Sequence, residues 1–373
     1  MNSMNKFAFL GMLVLSITFS IGRSNAQSYD MFVGTYTNGT GSKGIYRFNF
    51  DAATGEVRPI SVIESPNPSF LAKYENRLLA VNEGEGEQAT LSLFDIATAN
   101  VKLIDKSTTL GDHPCHVAFD AAGNIALVSN YSGGSLALFS LTDNRTKLIL
   151  HDLLEYEGNG PDPERQEQAH IHSAFFNDGL AYVSDLGNDQ IHVYGLSHDG
   201  TDLRNGALTL NEQTVIHTIK GGGARHLTFS ADGQTLYSLQ ELTGQVAVFR
   251  QENDEWVLKQ IVALYGDGFE GKQGGADVKI SPDGGSLYAT NRGDANLIVH
   301  YTVLPNGLLE WQNKYSVQGA NPRNFAITPD GGYVLVANQD TNRIVVFKRD
   351  AFTGDLEDTG KRIEVPAPVC ILF

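Results

Sequence analysis

Along most of the chain a short apolar run of alternating character meets an Asp-Gly or Asn-Asp-Gly turn. It returns as a second apolar run ending in a polar pair, then as a third alternating run. Period-two alternation bounded by turn residues predicts strands joined by tight hairpins. The unit reads HVAFDAAGNIALVSNYSGGSLALFSL from His116. It recurs as HSAFFNDGLAYVSDLGNDQIHVYGL from His172, HLTFSADGQTLYSLQELTGQVAVF from His226, DVKISPDGGSLYATNRGDANLIVHY from Asp277 and NFAITPDGGYVLVANQDTNRIVVF from Asn324. An earlier, degenerate copy begins near Phe70, with Leu78 to Asn82 as its second strand.

Phe70, His116, His172, His226, Asp277, Asn324 and Pro368 align as first positions, spaced 44 to 56 residues apart. Seven units of that period, each made of short strands and turns, predict an all-β, seven-bladed β-propeller with four-stranded antiparallel blades. The ends complete the count. MFVGTYTN from Met31 matches a second strand, GIYRFNF a third, and the terminal VPAPVCILF an isolated first strand. Strands from the N- and C-termini therefore share one blade, which leaves no free sheet edge, and residues 27–373 read as one domain. A closed ring of this kind is expected to be a monomer.

The first 26 residues do not fit the repeat. Lys6, an apolar run from Phe7 to Ile21 and the ending Ser24-Asn25-Ala26 read as a cleaved signal peptide. The run is about 15 residues, short of the roughly 20 that cross a bilayer as a helix, so a retained anchor is the weaker alternative. No Cys follows for lipid attachment, so the expectation is an exported protein, periplasmic or secreted, that does not insert in the membrane after cleavage. The net charge of −16 becomes more negative once Lys6 and Arg23 are removed. Nucleic acid and anionic lipid are therefore poor partners, and an anionic small molecule would need a local basic pocket. The two cysteines, Cys115 and Cys370, fall on blades that do not touch and are expected to be buried free thiols.

The start of each first strand and the end of each second share one face of a propeller, so candidate chemistry concentrates there. The starts carry His116, His172, Arg225, His226, Asp277 and Asn324; the ends carry Asn82, Asn130, Asp185, Glu241, Asn291 with Arg292, and Asn338. Ionisable groups converging on a channel mouth suit a polar binding site. Each Asn has a plainer reading as a group that satisfies backbone, and Arg225 and Arg292 could be blade-to-blade salt bridges. His172 follows the longest loop between blades, EYEGNGPDPERQEQA, whose Arg165 could reach the same mouth. For His170 and His192 a structural role is favoured. The acidic run Glu83 to Glu87 reads as a solvated loop. There is no Gly-rich phosphate loop, HExxH, paired Cys ligands or GxSxG, and neither metal nor cofactor is called for.

These residues bring a family into view. The chain resembles the seven-bladed propeller lactonases, which include 6-phosphogluconolactonase and the carboxymuconate-lactonising enzyme, over residues 30 to 373. The likeness rests on VGTYT, GNGPDPERQEQAHIHS, VSDLGND, ARHLTFSADG, LYATNRGD, NPRNFAITPDGGYVLVANQDTN and VPAPVCILF. It departs at Ala224, where a Pro is usual, and at Asp277, where a Glu is usual. The resemblance implies that His172, Glu241, Arg225 and Arg292 act on substrate; the binding candidates around them, by their place on the same face or on the long loop, are His116, Asn130, Arg165, Asp185, His226, Asn291 and Asn338.

The expected reaction is the opening of a sugar lactone, phosphorylated or not, to the aldonic acid. His172 would activate water, Glu241 would orient it or protonate the leaving ring oxygen, and Arg225 with Arg292 would hold the oxyanion and an anionic group. Two alternatives remain. The scaffold could run the reverse, lactonising chemistry, or it could be a non-enzymatic binding propeller of the cell envelope, which predicts an exposed aromatic patch.

Overall fold

The structure is a computed structural model that describes residues 27–373 apart from 121, 123, 143, 200–206 and 267. The proposed signal peptide lies outside the described residues. Seven four-stranded antiparallel sheets form a closed ring of blades. Numbered in chain order, blades 1 to 6 have as innermost strands Leu71–Tyr74, Pro114–Asp120, Ile171–Asn177, Ala224–Phe229, Gly275–Ile280 and Pro322–Ile327. Blade 7 takes its innermost strand, Pro368–Leu372, from the C-terminus and its second, Ser28–Thr35, from the N-terminal side, with Val33 opposite Ile371. The ring therefore closes by hydrogen bonds between the two ends of the described chain.

Each blade is sealed to the next by its second strand, which is apolar toward both neighbours. Ile125–Asn130, Thr235–Gln240, Ser286–Asn291 and Tyr333–Asn338 are buried at every position, whereas the outermost strands, such as Glu255–Ala263, alternate with solvent. Met31, Val33 and Phe48 of blade 7 thus pack on Leu335, Ala337, Ile344 and Val346 of blade 6. Buried tyrosines add polar ties: Tyr237 Oη donates to Gly307 O (2.9 Å) and Tyr301 Oη to Ala263 O (2.6 Å), each across a blade boundary. Gly34 is required at the closure, because a Cβ there would sit 2.3 Å from Pro68 O of blade 1. Cys115 and Cys370 are free, buried and separated by blade 1.

A β-bulge recurs near the start of the innermost strands. The register slips between Pro114 and His116, Ile171 and Ser173, Ala224 and Leu227, Gly275 and Val278, and Pro322 and Asn324. A bulge leaves a residue outside the ladder and re-aims its side chain. The residues released in this way are Cys115, His172, Arg225 with His226, Ala276 with Asp277, and Arg323. The register corrects the sequence alignment at one point. His172 is equivalent to Cys115 and Arg225, and Ser173, not His172, is the partner of His116 in the repeat.

Candidate active site

Several of the bulged residues and of the residues just after the second strands line a cavity of about 920 Å³ at one mouth of the channel. From the bulges come Cys115, His172 and Arg323; from the strand ends come Tyr36, Glu83, Tyr131, Glu241 and Arg292; from loops come Asp162, Arg165 and Lys272. Arg225 lies directly behind, 2 % exposed.

Glu241 is the hub. Its Oε2 accepts from Arg225 Nε (2.9 Å), forms an ion pair with Arg292 Nη2 at 3.0 Å, and lies 3.8 Å from His172 Nε2. Its Oε1 accepts from Arg165 Nη2 at 2.6 Å. Burial alone would raise the pKa of this carboxyl, but Arg292, Arg225, His172 and Arg165 together hold it well below the usual carboxylate range. It is therefore ionised near neutral pH, a state that suits orienting the neighbouring imidazole and the guanidiniums rather than donating a proton.

His172 is pushed the other way. Burial, and then the charge of Arg225, lower its pKa well below that of a free imidazole, so it is neutral near pH 7 and can accept a proton. Its Nδ1 side rests 4.0 Å from Cys115 Sγ, and the Tyr131 ring meets it edge-on at 5.4 Å. Burial raises the Cys115 thiol far above its normal range, so it is an inert wall.

The long loop before blade 3 delivers Arg165. Asp162 Oδ1 caps the backbone N–H groups of Glu164 and Arg165, and the buried Gln166 pins the loop by donating to Leu186 O (2.9 Å) and Asp189 Oδ1 (2.7 Å). Arg165 projects from between these anchors and reaches both Glu241 and Tyr131 Oη (3.2 Å). On the far rim, Gly293 has φ +72° and no room for a Cβ, which would lie 2.2 Å from Lys272 O, so Arg292 and the Lys272 loop are held together.

The remaining sequence candidates lie outside the cavity lining, and each has a partner of its own. Asn130 donates to Ser135 Oγ, Asn291 to Leu264 O and Asn338 to Val317 O, and Asp185 accepts from the backbone N–H of His170. They finish the second strands, and the residues that follow Asn130 and Asn291, Tyr131 and Arg292, line the cavity. His116 and His226 form a layer beneath the site with Phe70, at ring distances of 4.1 and 5.8 Å from Phe70. His226 Nδ1 donates to Asp277 Oδ1 (2.8 Å), leaving Nε2 to accept from Arg225 Nη1 (3.1 Å); Arg225 Nη1 also donates to Ala276 O. Asp277, pushed upward by burial but drawn well down by Lys279 and His226, is ionised and fixes that tautomer. His170 stacks on Tyr131 at 4.4 Å and His192 pairs with Glu212.

Sequence reasoning missed Arg323, Tyr36, Tyr131 and Lys272, and it misread Glu83. That carboxylate is no solvated loop residue; it accepts from Tyr36 Oη at 2.9 Å in the cavity wall. The signal was present in the repeat, since Arg323 precedes Asn324 as Arg225 precedes His226, and Tyr36 and Glu83 follow their strands as Glu241 and Arg292 do.

Comparison with known proteins agrees with this architecture. The family profile of the seven-bladed β-propeller lactonases matches residues 30–373. A 6-phosphogluconolactonase of Formosa agariphila is 33 % identical over 350 residues, covering 90 % of this chain and 96 % of the relative. Among solved structures, a candidate 6-phosphogluconolactonase of Bacteroides fragilis superposes with a TM-score of 0.87 at 36 % identity, covering 94 % of this chain and 98 % of that one. The periplasmic gluconolactonase of Pseudomonas aeruginosa does so with a TM-score of 0.85 at 32 % identity, covering 93 % and 99 %. The chain belongs to the family of seven-bladed β-propeller lactonases.

Proposed function

We propose that the protein hydrolyses a sugar lactone to the aldonic acid, with His172 activating water and an arginine-rich cavity receiving the negative charge that develops. One observation carries the reading: an imidazole that burial keeps neutral lines the same cavity as guanidinium groups gathered on a single carboxylate.

Ester opening needs a base for the attacking water, a donor for the oxyanion and a proton for the departing ring oxygen. His172 takes the water proton. The imidazolium so formed faces Glu241, whose fixed negative charge stabilises it, and it then returns the proton to the ring oxygen. Glu241 therefore orients and stabilises but does not transfer a proton. Arg292, with 17 % of its side chain exposed, is the guanidinium best placed to donate to the oxyanion. Arg225 is turned inward, toward Glu241, His226 and Ala276 O, and positions the carboxylate.

The leader reading and the periplasmic relative support a site of action outside the cytoplasm. A binding propeller would show a continuous aromatic patch. Here the exposed large apolar side chains, among them Leu103, Leu258, Trp311 and Phe352, are dispersed over the outer strands and turns of different blades.

The test is acid release, followed by a pH indicator, from freshly prepared glucono-δ-lactone and 6-phosphogluconolactone, with spontaneous opening subtracted. Wild type is expected to exceed background, and His172→Ala to lose about a hundredfold or more. A folded wild type with no rate on either lactone would overturn the proposal.

A further inference from the structure

Tyr131 follows the second strand of blade 2 into the cavity wall, and it is held there by its ring and backbone more than by its hydroxyl. The ring stacks on His170, 4.4 Å away and 11° from parallel, and His170 Nδ1 donates to Tyr131 O (3.1 Å). An edge contact with the His172 ring at 5.4 Å sets it beside the base. The hydroxyl is engaged from one side only. Its oxygen accepts from Arg165 Nη2 (3.2 Å), and among the described residues its hydrogen has no acceptor. With Arg165 on a lone pair, the O–H remains to donate to whatever enters the cavity. Burial, and next the charge of Glu241, raise this phenol above its usual range, so it is protonated near pH 7.

Its place in the ring of blades gives that donor a target. Tyr131, His172, Glu241 and Arg292 belong to blades 2, 3, 4 and 5, so the base stands between the phenol on one side and Arg292 on the other. The carbonyl carbon of a lactone carries two diverging oxygens, that of the carbonyl and that of the ring. With water activated at His172 and the carbonyl oxygen turned to Arg292, the ring oxygen faces blade 2. It leaves as an alkoxide, a poor leaving group unless a donor meets the charge, and Glu241, ionised among its guanidiniums, is not that donor.

We infer that Tyr131 is a further catalytic residue, whose hydroxyl donates a hydrogen bond to the ring oxygen of the lactone as the acyl–oxygen bond breaks. This rests on the lactonase reading and names the group that serves its leaving oxygen. The water oxygen bonds to the carbonyl carbon while the water proton passes to His172. The electron pair of the broken C–O bond goes to the ring oxygen, which Tyr131 stabilises until the His172 imidazolium protonates it; Tyr131 keeps its own proton. His170, the stacking partner, is a positioning residue for the phenol.

The experiment compares wild type with Tyr131→Phe, which keeps both ring contacts and removes only the hydroxyl, on glucono-δ-lactone and on the matching thiolactone, in which sulfur replaces the ring oxygen. A hydrogen bond made only as charge develops acts on kcat. On the oxygen lactone kcat should fall by about tenfold to a hundredfold, with KM within about twofold. On the thiolactone the loss should be under about threefold, because a thiolate leaves readily and accepts hydrogen bonds weakly. The acid limb of the pH profile, which belongs to His172, should not move. Circular dichroism melts confirm that the variant is folded. An unchanged kcat, a change confined to KM, or equal losses on the oxygen and sulfur lactones would overturn the inference and leave the lactonase reading standing. A folded wild type that opens no lactone would defeat that reading and the role of Tyr131 with it.

Discussion

Replacing Glu241 by Gln keeps the outline of the side chain and deletes the charge around which Arg225, Arg292 and Arg165 are assembled. Two of those guanidiniums are well covered, with 2 % and 17 % of their side chains exposed, and 7 % of the Glu241 side chain is exposed. Removing one partner from a buried ion pair costs about 3–5 kcal/mol. Arg165 adds little to that figure, since 43 % of its side chain is in solvent and the pair is screened. With an unfolding entropy of about 2.1 cal/mol/K per residue, a chain of roughly 350 residues changes by about 0.7 kcal/mol per degree, so the melting temperature should fall by about 4–7 °C. The pH dependence supplies a second check. The folded-state pKa of Glu241 is depressed, so its stabilisation is complete above the unfolded value near 4.3 and is lost as pH falls through the folded value. The gap between wild type and Glu241→Gln should thus be constant from about pH 6 to 8 and narrow only below about pH 4. Melts by circular dichroism across that range decide it. A variant that melts at or above the wild-type temperature, or a gap that closes between pH 7 and 6, would refute the view that this carboxylate holds the arginines together.

Three further predictions follow from the same geometry. Deleting residues 368–373 removes a strand whose Val369, Cys370 and Ile371 are 2–4 % exposed, together with Phe373, which packs edge-on against Phe50; at about 1.5–3 kcal/mol for each large apolar side chain this rivals the total stability, and the truncated chain should be unfolded by circular dichroism and protease-sensitive. The acid limb of the kcat/KM profile should lie below the 6.5 of an ordinary imidazole, because His172 stays neutral until pH drops through its depressed pKa; a limb at 6.5 or above would mean that the base is not this buried imidazole. Gly293→Ala, which drives a Cβ into Lys272 O from a left-handed backbone, should cost at least tenfold in kcat/KM on any accepted lactone, and wild-type kinetics would show that the Lys272 loop is not part of the site.

The ring was legible because the forces that make blades are local. Alternating apolar residues and Asp-Gly turns specify each hairpin, and repetition at 44 to 56 residues specifies how many there are. The mouth was legible only in part, because the bulges shift the frame by a residue that no local pattern announces. Asn130, Asn291 and Asn338 looked like site residues since they end the second strands, yet their amides are spent on Ser135, Leu264 O and Val317 O, and in two of the three blades it is the next residue, Tyr131 or Arg292, that lines the cavity. His172 stands out in the sequence because it follows the longest loop between blades, and the repeat aligns it with His116 and His226, whereas the register makes it the equivalent of Cys115 and Arg225. Arg165 could be placed only by the anchors of its loop, which depend on Gln166 meeting Leu186 and Asp189.

The sharing of blade 7 between the two ends has a consequence in time. During synthesis six blades can pair their own strands as they emerge, but the sheet that contains Ser28–Thr35 lacks its inner member until Pro368–Leu372 has been made. Tyr36 leaves that sheet directly into the cavity wall, opposite Arg323. The cavity wall is therefore completed only when Pro368–Leu372 pairs with Ser28–Thr35, so that closing the ring and finishing the site are one and the same step.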